Sequence, residues 1–264
     1  MIDIHTHILP GIDDGAKNIE ESLAIIRELI NNKVTEVIAT PHIITGVYNN
    51  TKKIIDEKIE KLKSEIIANK LPIKVYKGAE LYYEPNIIEK TKQEELNLAG
   101  SNYILIESDL QRFPDNFEET LYQFQVAGYV PILAHAERFT PFLNDFNRLI
   151  NIANSGILIQ LNSGSFLGDY GANVQKLAYR ILQTGCVHFI ASDVHHINKR
   201  PIMLKEAYEY LSENYTEDLA KLLLEENPGR VIHNEPVESM VEGYFEEGKW
   251  KRSLIEKVRE FLRI

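Results

Sequence analysis

Several residues of this sequence have the types and spacing needed to hold metal ions. His5-Thr6-His7 follows the apolar run MIDI, and residues two apart on an extended chain point the same way, so both imidazoles can face one cation. His42 follows TEVIAT in TPH, Glu80 closes GAE, Glu107 stands in ILIES, and His135 closes ILAH. Ser192-Asp193-Val194-His195 repeats the alternate spacing with a carboxylate and an imidazole, and Asp14 lies in the Asp13-Asp14-Gly15 turn shortly after His7. Each alone is compatible with packing, a turn or a solvated charge. Together, His5, His7, Asp14, His42, Glu80, Glu107, His135, Asp193 and His195 form a nitrogen and oxygen donor set without thiolate. That set suits manganese, zinc or iron, and not copper(I) or an iron–sulfur cluster. Nine donors exceed one ion's needs. Three divalent ions would leave the four carboxylates and neutral histidines with a net positive pocket able to attract phosphate.

The elements that must carry these groups follow from periodicity. MIDI, TEVIAT, IKVYKGAEL, NYILIES, VPILAH, ILIQLN and VHFIASD read as seven strands, and the stretches between them space apolar residues by three and four. Helices are expected over Asn18 to Asn31, Thr51 to Asn69, Asn116 to Ala127, Phe142 to Asn154, Asn173 to Thr184 and Met203 to Asn214. Strands alternating with helices imply a mostly parallel sheet, open or closed. Candidate ligands at the ends of six of the seven strands favour closure, because a barrel gathers all strand C-termini on one face. The expected fold is therefore α/β, a distorted seven-stranded (β/α) barrel resembling a TIM barrel. It would occupy residues 1–235 as one domain, and residues 236–264 would form a C-terminal extension. That extension ends in an amphipathic stretch from Ser253 to Ile264, packed on the barrel or on a partner.

Composition narrows the partners. Of 264 residues, 29 are Lys or Arg and 39 are Asp or Glu, a net charge of −10, which argues against a protein whose task is gripping a nucleic-acid backbone. No apolar run is long enough for membrane insertion, and the start MIDIHTH lacks the features of a secretory signal, so a cytoplasmic location is expected. Phosphate would have to be attracted locally. Arg138, in HAER, and Arg200, in HHINKR, could each fork onto phosphate oxygens or be solvated surface charges. Cys186 is the only cysteine. The position six residues later is Ser192, where a thiol phosphatase loop would need arginine, so Cys186 reads as a packing residue. His188 and His233 read as structural, and His196 as a neighbour of the ligands.

The ordered motifs HxH, Asp-Asp-Gly, TPH, GAE, the glutamate of ILIES, HAER and SDxH resemble the PHP (polymerase and histidinol phosphatase) superfamily over Met1 to about Asn234. Within it they are most similar to the bacterial manganese-dependent protein tyrosine phosphatases of capsule and exopolysaccharide systems. The resemblance implies a three-ion centre, with manganese first and zinc or iron as alternatives. It implies His5, His7, Glu80 and Asp193 at one ion, Glu80, Glu107 and His135 at a second, and Asp14, His42 and His195 at a third, with Glu80 bridging. Arg138 and Arg200 resemble arginines that orient phosphate. The implied reaction is attack of a bridging hydroxide on phosphorus, since metal binding lowers water's pKa from about 15.7 toward 7. The implied substrate is a phosphotyrosine protein, the tail of a bacterial tyrosine kinase. Tyr48, Phe113, Phe139, Phe166 and Tyr170 could accept a phenyl ring at the rim or pack as core.

Three other readings compete. A small-molecule phosphatase such as a histidinol-phosphate hydrolase differs only in substrate. An amidohydrolase would carry lysine where Glu107 stands, and a regulatory module without turnover would have no use for Arg138.

Overall fold

The computed structural model describes residues 1–197 and 202–239. Arg200 and the expected amphipathic stretch from Ser253 to Ile264 lie outside those residues.

The chain alternates strand and helix as its periodicity predicts. Its strands are β1 (Ile2–Thr6), β2 (Glu36–Ala39), β3 (His42–Ile43), β4 (Lys74–Lys77), β5 (Glu80–Tyr82), β6 (Tyr103–Glu107), β7 (Val130–Leu133), β8 (Leu158–Asn162) and β9 (Phe189–Ala191). The helices that matter below are α1 (Ile19–Asn31), α2 (Lys52–Ala68), α3 (Ile87–Glu94), α4 (Phe117–Val126), α5 (Pro141–Asn144) and α6 (Phe146–Asn154). The chain continues through α7 (Ser163–Leu167), α8 (Ala172–Gln183), α9 (Leu204–Asn214), α10 (Glu217–Lys221) and α11 (Asn227–His233).

Every pairing between these strands is parallel. One sheet runs β1-β2-β4 and the other β3-β5-β6-β7-β8-β9. The sheet curls on itself. An isolated parallel bridge joins Thr6 to Val194, the His7 amide donates to Val194 O at 2.9 Å, and the Asp193 amide donates to His5 O at 3.0 Å. The result is an α/β fold built on a curled, TIM-barrel-like parallel sheet whose strand C-termini face one end. Its inward residues, including Ile4, Ile38, Leu105, Ile132 and Phe189, are buried. The larger apolar cluster lies between the sheet and the helices.

Nine strands stand among the described residues where seven runs were expected, because two runs are interrupted. TEVIATPHI breaks at Thr40-Pro41, and proline has no amide for the ladder. IKVYKGAEL breaks at Gly78, where a Cβ would lie 2.7 Å from Ile38 Cγ2 and 2.8 Å from Leu98 Cδ2. Only glycine lets the backbone pass so close to its neighbours. The helix expected from Phe142 to Asn154 is likewise two helices. Asp145 leaves helical geometry (φ −133°, ψ 87°) and its carboxylate caps α6 by accepting from the Arg148 amide at 3.3 Å. The other expected helices hold to within about two residues, with Asn18 capping α1 and Thr51 capping α2.

The base of the sheet is pinned by His188, whose Nδ1 accepts from the Ile159 amide at 3.1 Å. Burial disfavours the imidazolium and lowers this group from 6.5 to about 4. Its contribution to stability is therefore complete above about pH 6.5 and is lost as pH falls toward 4, a difference of roughly 3 kcal/mol. His188→Asn retains an acceptor and cannot titrate, so denaturation midpoints of the variant should fall less steeply than wild type over that interval. Parallel curves would contradict the assignment.

Candidate metal centre

The strand ends deliver their polar groups to one cup of about 370 Å³. His5 comes from β1 and His7 from just beyond it, His42 from β3, Glu80 from β5, Glu107 from β6 and His135 from just beyond β7. Asp193 and His195 follow β9, while Asp14 comes from the loop after β1. Seven of the nine predicted donors line the cup, and His5 and His7 pack against its Glu80 and Asp193; all but Asp14 and His42 are buried.

Glu80 is the hub. Its Oε2 lies 3.2 Å from His5 Nε2, 3.2 Å from His7 Nε2 and 3.0 Å from His42 Nδ1, while Oε1 lies 3.0 Å from His135 Nε2. Glu107 approaches His42 Nδ1 at 3.0 Å and His135 Nε2 at 3.4 Å. Asp193 Oδ1 is 3.5 Å from both His5 Nε2 and His7 Nε2. Asp14 Oδ1 lies 3.4 Å from His42 Nε2 and 3.3 Å from His195 Nε2.

The groups behind the ligands fix three tautomers. His7 Nδ1 lies 2.9 Å from Asp13 Oδ2, and His195 Nδ1 lies 2.9 Å from the Asp193 carbonyl. His5 Nδ1 lies 3.0 Å from Gln160 Oε1. These oxygens accept, so each Nδ1 carries the proton and each Nε2 presents its lone pair to the cup. His5 Nε2 and His7 Nε2 then face each other at 3.3 Å and face Glu80 Oε2 at 3.2 Å. Glu80 Oε2 is buried and receives no donor along a hydrogen-bond direction. Lone pairs converge so closely only around positive charge. The donor set and its orientation thus fit divalent cations, and the groups fall into clusters such as His5, His7 and Asp193 or His7, Asp14, His42 and His195.

Protons supply that charge when cations do not. Burial opposes ionisation of His42, yet Glu80 and Glu107 beside it raise it to about 12. Burial likewise opposes charge on His7 and His135, but Asp13 and Glu80 raise the first to about 9, and Glu107 and Glu80 raise the second to about 9. Burial pushes the Glu80 carboxyl up, but His5 and His42 hold it well below its usual range. A ligand imidazole must lose its proton to bind metal. Uptake of divalent ions at neutral pH should therefore release protons, and affinity should weaken as pH falls. Calorimetric titrations in buffers of different ionisation enthalpy measure this directly, and a heat independent of buffer would contradict it.

Backbone strain accompanies two of the candidate ligands. His135 has φ 34° and Asp193 φ 54°, positions that side-chain-bearing residues seldom adopt. Arg138 Nη1 donates to Asp193 Oδ2 at 3.1 Å, and its guanidinium carbon sits 5.0 Å from the centre of the Tyr170 ring. At the rim, Tyr48 stacks on His42 with centroids 5.8 Å apart. Phe113, Phe139 and Phe166 are not rim residues; all three are buried. Tyr82 lines the mouth instead, two residues beyond Glu80 on the same strand face, so the alternate spacing that marks His5 and His7 would have found it. The same rule would have marked Gln160 and Asn162 at the end of β8. Asp13 went unassigned as well, because a turn accounts for Asp-Asp-Gly until His7 and the His42 amide, 3.3 Å from its carboxylate, are seen beside it. Cys186 stands ahead of β9, at the opposite end of that strand from Asp193 and His195.

Comparisons with known proteins agree with the motifs. The Staphylococcus aureus protein CapC is 34% identical over 253 residues, 95% of this chain and 98% of its own. YwqE of Bacillus subtilis, named a tyrosine-protein phosphatase, is 31% identical over 238 residues, 90% of this chain and 93% of its own. A chain from the crystal structures of Bacillus subtilis YwqE and Streptococcus pneumoniae CpsB, described as unique metal-dependent tyrosine phosphatases, superposes with a TM-score of 0.87 at 30% identity. That superposition covers 91% of this chain and 97% of the other. Histidinol phosphate phosphatase of Lactococcus lactis has a TM-score of 0.53 at 12% identity, covering 85% of this chain and 96% of its own, a likeness of fold alone. Residues 1–233 match the model for capsular polysaccharide synthesis proteins, CpsB/CapC, and the chain belongs to that family.

Proposed function

We propose that this chain is a metal-dependent phosphomonoesterase that hydrolyses phosphotyrosine on a protein of capsule or exopolysaccharide synthesis. The carrying observation is the crowding of three imidazole nitrogens around the buried Glu80 Oε2, at the floor of a cup open to solvent. The names of the CpsB/CapC relatives supply the phosphotyrosyl specificity. Counted as runs and not as uninterrupted strands, β2 with β3 and β4 with β5 each make one bent strand, which gives the seven-stranded ring of a PHP barrel. Residues 1–235 are read as that catalytic domain and 236–264 as its extension.

His5, His7, Glu80 and Asp193 would hold one ion, Glu80, Glu107 and His135 a second, and Asp14, His42 and His195 a third. The proximity of His7 to the third group and of His42 to Glu80 and Glu107 makes the sites a shared cluster. Manganese is the first choice, with zinc or iron as alternatives. Bound ions would supply Lewis-acid polarisation of the phosphoryl group and a water of lowered pKa. The chain's own contribution is orientation and charge. Arg138, already held over the cup by Asp193, is placed to fork onto phosphoryl oxygens, and Arg200 is assigned the same task on motif alone. Tyr48 and Tyr82 offer apolar walls at the mouth for a phenyl ring. A phenolate is a good leaving group, since tyrosine's pKa is about 10, so little general-acid help is needed. The partner is read as the tail of a bacterial tyrosine kinase, which would place the reaction in the cytoplasm. Among the described residues no helix is long and apolar enough to cross a membrane.

The test loads purified protein separately with manganese, zinc and iron and compares a phosphotyrosyl peptide, a phosphoseryl peptide and histidinol phosphate. The phosphotyrosyl peptide should be the best substrate; a faster rate on histidinol phosphate would reverse the assignment to a small-molecule phosphatase. In the same assay His5→Ala and Asp193→Asn should abolish turnover, and Cys186→Ser should leave it nearly intact. A folded but inactive Cys186→Ser protein would restore the thiol mechanism.

A further inference from the structure

We infer that Gln160 and Asn162 form a positioning relay that sets the orientation and the lone-pair direction of three metal ligands from three separate segments. The inference rests on the metal-centre reading but not on any substrate. Both side chains are fully buried at the end of β8, alternate along the strand so that they share its inner face, and stand behind the His5 and Asp193 donors of one cluster.

The polarity of the relay is determined from both ends. The His135 amide can only donate, and it lies 3.0 Å from Gln160 Oε1, so that atom is the oxygen. His5 Nδ1 lies 3.0 Å from the same oxygen and must carry its proton there, which leaves Nε2 as the ligand atom. Gln160 Nε2 is then a donor, and it meets Asn162 Oδ1 at 2.9 Å. Asn162 Nδ2 donates to Asp193 Oδ2 at 2.8 Å, the oxygen that Arg138 also holds, so Oδ1 is the one left facing His5 and His7. Asn162 is itself anchored, its amide donating to Glu137 Oε1 at 2.9 Å.

Two amides aligned head to tail thus tie the His5 ring, the backbone of His135 and the Asp193 carboxylate into one hydrogen-bonded chain. The tie is needed because His135 and Asp193 both sit at positive φ, a conformation that persists only where neighbours over-determine it. Reversing either amide would set oxygen against oxygen or N–H against N–H along the whole chain, so the relay has a single low-energy direction.

The test measures metal affinity by chelator competition with zinc for wild type, Gln160→Met, Asn162→Ala and the double variant, together with the visible absorption of the cobalt-loaded proteins. Each single change should weaken the tightest ion by about 10- to 100-fold and shift the cobalt spectrum, because outer groups that orient ligands act on that scale. The double variant should lose no more than the worse single, since breaking one link already breaks the chain. A folded single variant with wild-type affinity and spectrum, or a double loss equal to the product of the singles, overturns the relay. Should Gln160→Met fail to fold, Asn162→Ala carries the test through its affinity and cobalt spectrum. A wild-type protein that binds no zinc or cobalt refutes the metal reading itself, and leaves a different signature from failure of the relay.

Discussion

Glu80→Gln is expected to lower phosphotyrosyl hydrolysis by roughly a hundred- to several-thousandfold and to strip the centre of most of its metal. Among the described residues Glu80 is the one carboxylate within 3.2 Å of nitrogens from His5, His7, His42 and His135. The amide is isosteric but neutral, and one of its two ends becomes a donor that must point at an imidazole lone pair or at the cation itself. Removing one partner from a buried charge cluster costs about 3–5 kcal/mol, and each 1.36 kcal/mol is a factor of ten. Elemental analysis alongside turnover separates the two losses. A variant that keeps its metal complement and more than a tenth of the activity would show that Glu80 does not bridge.

Gly15→Ala should disrupt the same centre from outside it. A Cβ on Gly15 would lie 2.1 Å from the His7 carbonyl oxygen and 2.5 Å from His7 Cβ, so the turn must move. The cause is contact and not backbone handedness, because Gly15 is absent from the positive-φ residues. The Gly15 amide donates to Asp13 Oδ1 at 2.9 Å, and the next amide, of Ala16, donates to His7 O at 3.0 Å. A shift would pull Asp13 off His7 Nδ1 and Asp14 away from His42 and His195. Overpacking of this kind costs about 1–3 kcal/mol or more, which for a chain of this size lowers the melting temperature by roughly 5–10 °C. Metal affinity should fall with it. Thermal melts and chelator competition on the folded variant measure both, and an unchanged melting temperature would mean that the turn can yield without disturbing His7.

How much of this was legible beforehand depends on how local the signal is. The helices α1, α2, α4 and α8 could be read because an amphipathic stripe is a property of neighbours in sequence, as are the capping residues Asn18 of α1 and Thr51 of α2. The breaks at Thr40-Pro41, Gly78 and Asp145 were less legible. Gly78 is demanded by the side chains of Ile38 and Leu98, which only the fold brings within reach. The donors, Asp14 apart, were legible because parallel strands send all their ends the same way, so a ligand type at six of seven ends is a pattern visible in the chain itself.

The sequence by itself determined the inventory: where the extended runs lie, that they are parallel with helices between them, and which imidazoles and carboxylates accompany them. Tertiary structure alone decided how those groups share charge. Glu80 as hub, Asp13 behind His7, the relay through Gln160 and Asn162, and the withdrawal of Phe113, Phe139 and Phe166 into the core all depend on contacts that folding creates, six residues apart for Asp13 and His7 and 155 apart for Gln160 and His5. Spacing along a chain reports the direction in which a side chain leaves its own strand. Only closure of the sheet decides what it meets there.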